Sequence, residues 1–283
     1  MNRTNLCRPN NLPLSVVCFG SGTGSTLEAL LEEQRLQEKK KNPLFKIQAV
    51  VVNKECRCIE IAKNNRLPLI VNDRHAFFNV RLRPLSDIET ATEYDEKNIH
   101  DLQQIAYEHN FNIDLIALTG YSSILSGSLV RALCDRIINS HPADLSRRNE
   151  RGERIYAGMY GSKAILHALR NGEDSTKTCI HLVTEDVDAG EILVTSKPLR
   201  FSPEIHTLRY ASESVLYKGE VQSLIQRHQE LQKVRCDYPA YITAINLIAS
   251  GRFSLCEGPG MRTIFFDGKP LPYEGIDLEQ KTD

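Results

Sequence analysis

The sequence has no apolar run approaching the ~18 residues a membrane-spanning helix needs. Its opening stretch, Met1 to Pro13, is polar where a secretion signal would carry an apolar segment. These absences predict a protein that is neither membrane-embedded nor exported. Charge of one sign is also lacking. The formal net charge is −1, so no long-range field draws in nucleic acid or an anionic membrane, and any anionic ligand must meet a local site. None of the eight cysteines (Cys7, Cys18, Cys56, Cys58, Cys134, Cys179, Cys236, Cys256) forms a C-x-x-C pair. Cys56-Arg57-Cys58 has no second pair to complete a ligand set, so no metal is expected. A reducing, cytoplasmic setting suits these thiols. Repeats and low-complexity segments are absent as well. What remains is an ordinary globular composition, 41% hydrophobic and 25% charged over 283 residues. That is enough for one large α/β domain, or one domain with a small appendage.

Short apolar runs alternate with amphipathic stretches. Leu14–Phe19, Ile47–Val52, Pro68–Val71, Ile113–Leu118 and Arg136–Asn139 read as buried strands. Ser25–Glu38, Glu55–Asn65, Glu96–Asn110 and Gly127–Cys134 read as helices between them. The alternation predicts a mostly parallel, Rossmann-like twisted sheet with helices on both faces, in one domain over residues 14–275. Further on come a helix over Ser162–Asn171, strands over Thr178–Thr184 and Glu191–Lys197, helices over Leu208–Lys233 and Tyr238–Ser250, and a strand over Arg262–Phe266. Residues 1–13 are expected to form an N-terminal tail, 276–283 a loose C-terminal tail, 74–94 an irregular insertion, and 143–160 a long loop.

Three constellations carry chemistry. The first is Gly20-Ser-Gly-Thr-Gly-Ser-Thr26, between a strand and a helix. Glycines let the backbone approach an anion, and N–H groups at a helix start bind one. A dinucleotide fingerprint needs glycine where Ser25 stands and an acid where Asn53 ends the second strand. The phosphate-loop Gly-Lys pair is missing too, so a dinucleotide oxidoreductase is disfavoured and a small anion suits the turn better. The second is Asn139-Ser-His141-Pro142. Strand alternation points Asn139 and His141 to the same side, and Pro142 ends the ladder, at the strand end where open α/β sheets place ligands. An amide beside an imidazole suits a developing oxyanion and a moving proton. The third is Asp188-Ala-Gly190, after an apolar strand. Asp188 either stabilises its own turn or orients His141 and relays a proton.

The order of these motifs resembles the glycinamide ribonucleotide formyltransferase family, from about Val16 to Gly275. The likeness lies in SGTGSTLEALL (21–31), IDLIALTGYSSILSGSLV (113–130), INSHPADLS (138–146), HLVTEDVDAGEI (181–192), DYPAYITAINLIASGRFSL (237–255) and DGKPLPYEG (267–275). The resemblance implies a folate-dependent formyltransferase moving a formyl group from 10-formyltetrahydrofolate to an amine, in purine biosynthesis and without a metal. It implies that Asn139, His141 and Asp188 are catalytic. Gly22, Gly24, Ser25 and Thr26 would hold the acceptor's phosphate. Leu118, Tyr121, Ser123, Ile124, Leu125, Thr184, Glu185 and Asp186 would line the folate site. The expected partners are two small molecules, the amine acceptor and folate.

The departures fall on the acceptor side. After His141-Pro142 the text runs Ala143-Asp-Leu-Ser146 and then Arg147–Tyr160, longer than the family's usual connection. Ser123 stands where the family carries an arginine, and Val234 where a glutamate reads the acceptor's ribose, with Asp237 nearby. Arg74 is a candidate for a phosphate-binding arginine. The 143–160 loop is expected either to be a solvated surface loop or to close as a lid, with Tyr156 and one arginine on the acceptor. Glycinamide ribonucleotide is the leading acceptor. A hydroxyornithine-type or amino-sugar amine is the alternative within the same chemistry, and a non-catalytic folate-binding module the alternative outside it.

Overall fold

A computed structural model of the chain describes residues 3–7, 12–211, 219–258 and 261–280. The chain forms two compact units. The first comprises Met1–Asn139, Leu182–Val187 and Ile245–Pro270, the second Ser140–His181, Asp188–Ala244 and Leu271–Asp283.

In the first unit the strands Leu69–Val71, Phe45–Val52, Leu14–Gly20, Leu115–Leu118 and Ile137–His141 lie side by side in that order, all parallel. The last of them continues into the second unit. Leu14–Gly20 is buried along its whole length, which is why its run LSVVCF shows no alternation: a parallel strand is apolar on both faces. Val17, Phe19, Ile116 and Leu118 pack with Leu102, Leu125 and Leu129 into one core cluster. The helix Ser25–Lys39 inserts Leu27, Leu30 and Leu31, the three leucines whose helical spacing marked it in the sequence. The α/β class with a mostly parallel sheet is therefore what forms.

Residues 74–94 correct the expected irregular insertion. Asp73 accepts the Ala76 N–H at 2.7 Å and starts the helix Arg74–Val80. Asp87 accepts the Thr90 N–H at 2.8 Å and starts Ile88–Glu108, earlier than the expected Glu96. Two side-chain caps set both helix starts; the polar surface between them hid the periodicity. The N-terminal tail is also partly built in. Arg3–Asn5 pairs antiparallel with Phe253–Gly258, itself a hairpin with Met261–Phe266, and Leu6 is buried.

In the second unit Cys179–Leu182 runs antiparallel to Ile192–Thr195. Ile276–Asp277, expected loose, adds a parallel strand to Ile192–Thr195, and the Lys177 ammonium pairs with Asp277 at 3.1 Å. Residues 281–283 of the expected tail lie outside the described residues. The helix Gly161–Arg170 packs Ala164, Ile165, Ala168 and Leu169 against Phe201, Ile205 and Ile225. Of the single helix expected over Leu208–Lys233, Thr207–Tyr210 is a tight turn and Gly219–Gln232 a helix, with 212–218 outside the described residues. A π-helical turn, Lys233–Asp237, then leads into Tyr238–Ala249.

The 143–160 segment is a packed hairpin with a polar tip. Ile155 N–H donates to Arg147 O at 3.1 Å and Asn149 N–H to Glu153 O at 3.0 Å, with Arg148 opposite Arg154. Ala143, Leu145 and Tyr156 anchor its base, each at most 1% exposed. Arg147 forks onto Glu173 at 2.7 and 3.0 Å.

Candidate active site

His141 is the last residue of the strand Ile137–His141, and Pro142 prevents the ladder from continuing. Its ring is buried, 2% exposed. Nδ1 lies 3.2 Å from Asp188 Oδ2, and on the other carboxylate oxygen His181 Nε2 lies 3.4 Å from Oδ1. Gly158 N–H adds a third bond, to Oδ2, at 2.8 Å. Burial alone would raise the Asp188 carboxyl. The bonds from His141 and His181, the attraction of His141 and the Gly158 N–H outweigh it and hold the group far below the usual carboxylate range. Asp188 is thus an anion that fixes one face of the His141 ring. The opposite nitrogen, Nε2, is buried and has no hydrogen-bond partner among the described residues. A buried imidazole nitrogen left open while its other nitrogen is held by a carboxylate is placed to exchange a proton or a hydrogen bond with a ligand.

Asp188 itself sits in the left-handed region, φ 53, which costs a non-glycine residue ~1 kcal/mol or more and needs external support. Arg154 gives that support. Its Nη1 donates to Asp188 O at 2.5 Å and to Gly190 O at 2.9 Å, and its Nε to the Tyr273 hydroxyl at 2.9 Å.

Asn139 stands two residues before His141 on the same strand, half-buried, in register with Leu118. It belongs to the first unit and His141 to the second.

The glycine turn lies in the first unit. Gly24 caps the helix Ser25–Lys39 at φ 70, and no side chain caps that helix start. A Cβ at Gly24 would lie 2.3 Å from Ile61 Cδ1 and 3.3 Å from Cys58 Sγ, whereas a Cβ at Gly22 would meet nothing within 4 Å. Gly24 is therefore dictated by its left-handed backbone and by the helix Arg57–Asn64 beneath it; at Gly22 the space is open. Ser25 and Thr26 are half-buried in the first helical turn. Arg57 braces the turn, with Nη2 on Glu28 at 2.7 Å and Nη1 near Thr23 O at 3.5 Å.

All the residues expected to line the folate site belong to the first unit. Leu118 and Leu125 are buried in its core, and Ile124 is 72% exposed. The Tyr121 ring meets Phe19 edge-on at 5.3 Å. Ser123, in the place of the family's arginine, accepts a hydrogen bond from Asn53 Nδ2 at 2.7 Å. Thr184 bonds back to Asp186 O at 3.0 Å, and Glu185 pairs with Arg131 at 2.6 Å. Asp186 is exposed.

The residues considered for the acceptor side lie in the following surroundings. Tyr156 is 1% exposed, packed with Ala143 and Ile165, and its hydroxyl faces Glu173 at 3.3 Å, so it is a core residue here and not an exposed one. The hairpin arginines Arg147, Arg148 and Arg154 are engaged within the second unit, while residues 147–153 at the tip are exposed, as a solvated surface loop would be. Asp237, the last residue of the π-helical turn, accepts from Thr178 Oγ1 at 2.6 Å, and burial pushes its carboxyl up to about 6. Arg74 stacks on Phe78 at 4.4 Å and donates to Leu85 O at 3.3 Å.

Sequence reasoning missed His181, Arg154 and Gly158. His181 had a signal: a polar residue inside the buried strand Cys179–Leu182. The other two act through backbone groups distant in the chain, which no local pattern reveals. No group of three or more His, Cys, Asp or Glu side chains suited to a metal occurs among the described residues, and no described helix is long and apolar enough to cross a membrane.

The chain is similar to known formyl transferases. The chain matches the formyl transferase family over residues 14–208. It is 24% identical to the phosphoribosylglycinamide formyltransferase of Escherichia coli (strain K12) over 94% of this chain and 100% of that protein. It is 28% identical to the trifunctional purine biosynthetic protein adenosine-3 of Homo sapiens, matching 66% of this chain but spanning only 16% of that longer protein. In fold it resembles the phosphoribosylglycinamide formyltransferase of Coxiella burnetii, with a TM-score of 0.63 and 22% identity over 94% of this chain and 99% of that one. The chain belongs to the formyl transferase family.

Proposed function

We propose that the protein transfers a formyl group from 10-formyltetrahydrofolate to the amine of glycinamide ribonucleotide, a step of purine biosynthesis. The observation that carries the reading is the His141–Asp188 pair, with the second ring nitrogen buried and open. The amine lone pair attacks the formyl carbon, and a carbon–nitrogen bond forms as the carbonyl electrons move to oxygen. Asn139 and His141 donate hydrogen bonds to that oxygen, where negative charge is new in the transition state and donors stabilise it most. Collapse breaks the bond to the folate nitrogen. The amine loses one proton and the folate nitrogen gains one, a transfer that His141 and Asp188 serve directly or through water. Asp188 acts chiefly by holding His141 in one orientation. The positioned donors suffice without a Lewis acid.

The uncapped start of Ser25–Lys39, approached across the open space at Gly22, suits the acceptor's phosphate. Tyr121, Ser123, Ile124 and the 184–186 segment are the donor-side residues. We place the reaction in a reducing compartment, in keeping with eight free cysteines.

The test is product formation across a panel of amines given with 10-formyltetrahydrofolate: glycinamide ribonucleotide, its dephosphorylated form, an amino sugar and a hydroxyornithine. Formylation of glycinamide ribonucleotide with a large kcat/KM advantage over the dephosphorylated form supports the reading. Equal use of both forms, or preference for a phosphate-free amine, contradicts it.

A further inference from the structure

We infer that Arg154 is a positioning residue for formyl transfer, fixing the backbone of the Asp188 turn from the 143–160 hairpin. The inference rests on the proposed role of the His141–Asp188 pair. Asp188 adopts a left-handed backbone without being glycine. Such a turn drives nearby carbonyls into close company, and those of Asp188 and Gly190 both accept from Arg154 Nη1, at 2.5 and 2.9 Å. A planar guanidinium serves two carbonyls with one nitrogen and still directs Nε at the Tyr273 hydroxyl, 2.9 Å away.

The hairpin in turn holds Arg154. Arg148 and Arg154 are opposed across it, and the Arg148 guanidinium lies over the Tyr273 ring at 4.1 Å. The Tyr273 hydroxyl approaches Leu145 O at 3.4 Å. Tyr156 sets the hairpin base in the core. The same segment ends at Gly158, whose N–H reaches the Asp188 carboxylate at 2.8 Å. One segment therefore holds both the backbone and the side chain of Asp188. Because Asp188 meets His141 through a single oxygen, a small tilt of the turn moves the imidazole.

The experiment compares Arg154→Ala, Arg154→Lys and Asp188→Asn with the wild-type chain in the 10-formyltetrahydrofolate and glycinamide ribonucleotide assay. Arg154→Ala is expected to lower kcat by ~10²-fold while the KM for each substrate stays within about threefold. Arg154→Lys should recover part of kcat, since an ammonium bonds one carbonyl but cannot also reach Tyr273. Millimolar guanidinium should restore turnover to Arg154→Ala, and sodium chloride at the same ionic strength should not. In the Asp188→Asn background, Arg154→Ala should have almost no further effect. Arg151→Ala, at the exposed hairpin tip, should be indistinguishable from wild type. If Asp188→Asn is fully active, the catalytic reading of the pair fails. If Asp188→Asn is poor while Arg154→Ala keeps its kcat, the Arg154 inference alone is overturned. If Arg154→Ala does not fold, Arg154→Lys decides: lowered kcat at unchanged KM supports the inference, and native kcat overturns it.

Discussion

The glycine turn and the Asp188 turn each place a residue in left-handed backbone, at φ 70 and φ 53. They are held in different ways. Gly24 is shaped by its own left-handed backbone and from below, where a Cβ would press on the Ile61 Cδ1 methyl and on Cys58 Sγ, and glycine is what the sequence shows. Asp188 is shaped by bonds: two histidines, the Gly158 N–H and the Arg154 guanidinium converge on it. A turn set by packing writes itself into its own residue type. A turn set by distant hydrogen bonds can keep a functional side chain in a strained position, and its cause is spread along the chain. If that contrast holds, the two turns answer differently to substitution.

The largest effect belongs to the bonded turn. His141→Ala removes the imidazole that Asp188 orients, and turnover is expected to fall ~10²–10⁴-fold, the usual share of a proton-transferring group; Asn139→Ala should lose ~10²–10³-fold as an oxyanion donor. Steady-state kinetics with matched thermal midpoints checks both, and the fold should stay intact. Gly24→Val should behave in the opposite way. The left-handed backbone and the clash with Ile61 are expected to cost ~2–4 kcal/mol of stability, read by denaturant unfolding. A folded, stable Gly24→Val with only weaker acceptor binding would show that ligand approach, not packing, dictates the glycine.

A smaller effect tests the second unit's core, which packs on the hairpin base. The His228 ring bonds Thr176 Oγ1 at 2.9 Å and lies 5.0 Å from Phe201. Burial lowers its pKa to about 4. A depressed histidine pKa means that the unfolded chain binds the proton first. Stability from this group is complete above about 6.5 and is lost as pH falls toward 4, by on the order of 2 kcal/mol with solvent screening allowed for. Asp237, raised to about 6, has the opposite slope. Since Asp237 is common to both proteins, the wild type minus His228→Gln difference isolates His228. The expected result is a shallower acid loss in His228→Gln; parallel curves would refute it. The smallest effect is Gly22→Ala. With nothing within 4 Å of a Cβ, stability should stay within about 0.5 kcal/mol while the KM for a phosphate-bearing acceptor rises severalfold. An unchanged KM would move the phosphate elsewhere.

How much could be read from the sequence follows the same division. The central parallel strands were readable because they are short apolar runs buried on both faces, as in Leu14–Gly20 and Leu115–Leu118. Asn139, His141 and Asp188 stood out in the sequence by residue type and position, and His141 and Asp188 lie 3.2 Å apart in the structure. The helices at 74–80 and 88–108 were not, because aspartate caps rather than apolar periodicity set their starts. The hairpin was not either: its polar tip hides a base fixed by Tyr156, which reads as a loop aromatic until its burial is seen. Arg154 was one arginine among four until the carbonyls it bonds were known.

The most direct test of the account is a single-turnover comparison of the wild-type chain with Asp188→Asn, mixing each with 10-formyltetrahydrofolate and glycinamide ribonucleotide and following the formylated product by mass spectrometry. The account predicts prompt formylation by the wild type and a loss of ~10²-fold or more in the variant, with both substrates still bound. Equal rates for the two proteins, or no product from the wild type, would contradict it.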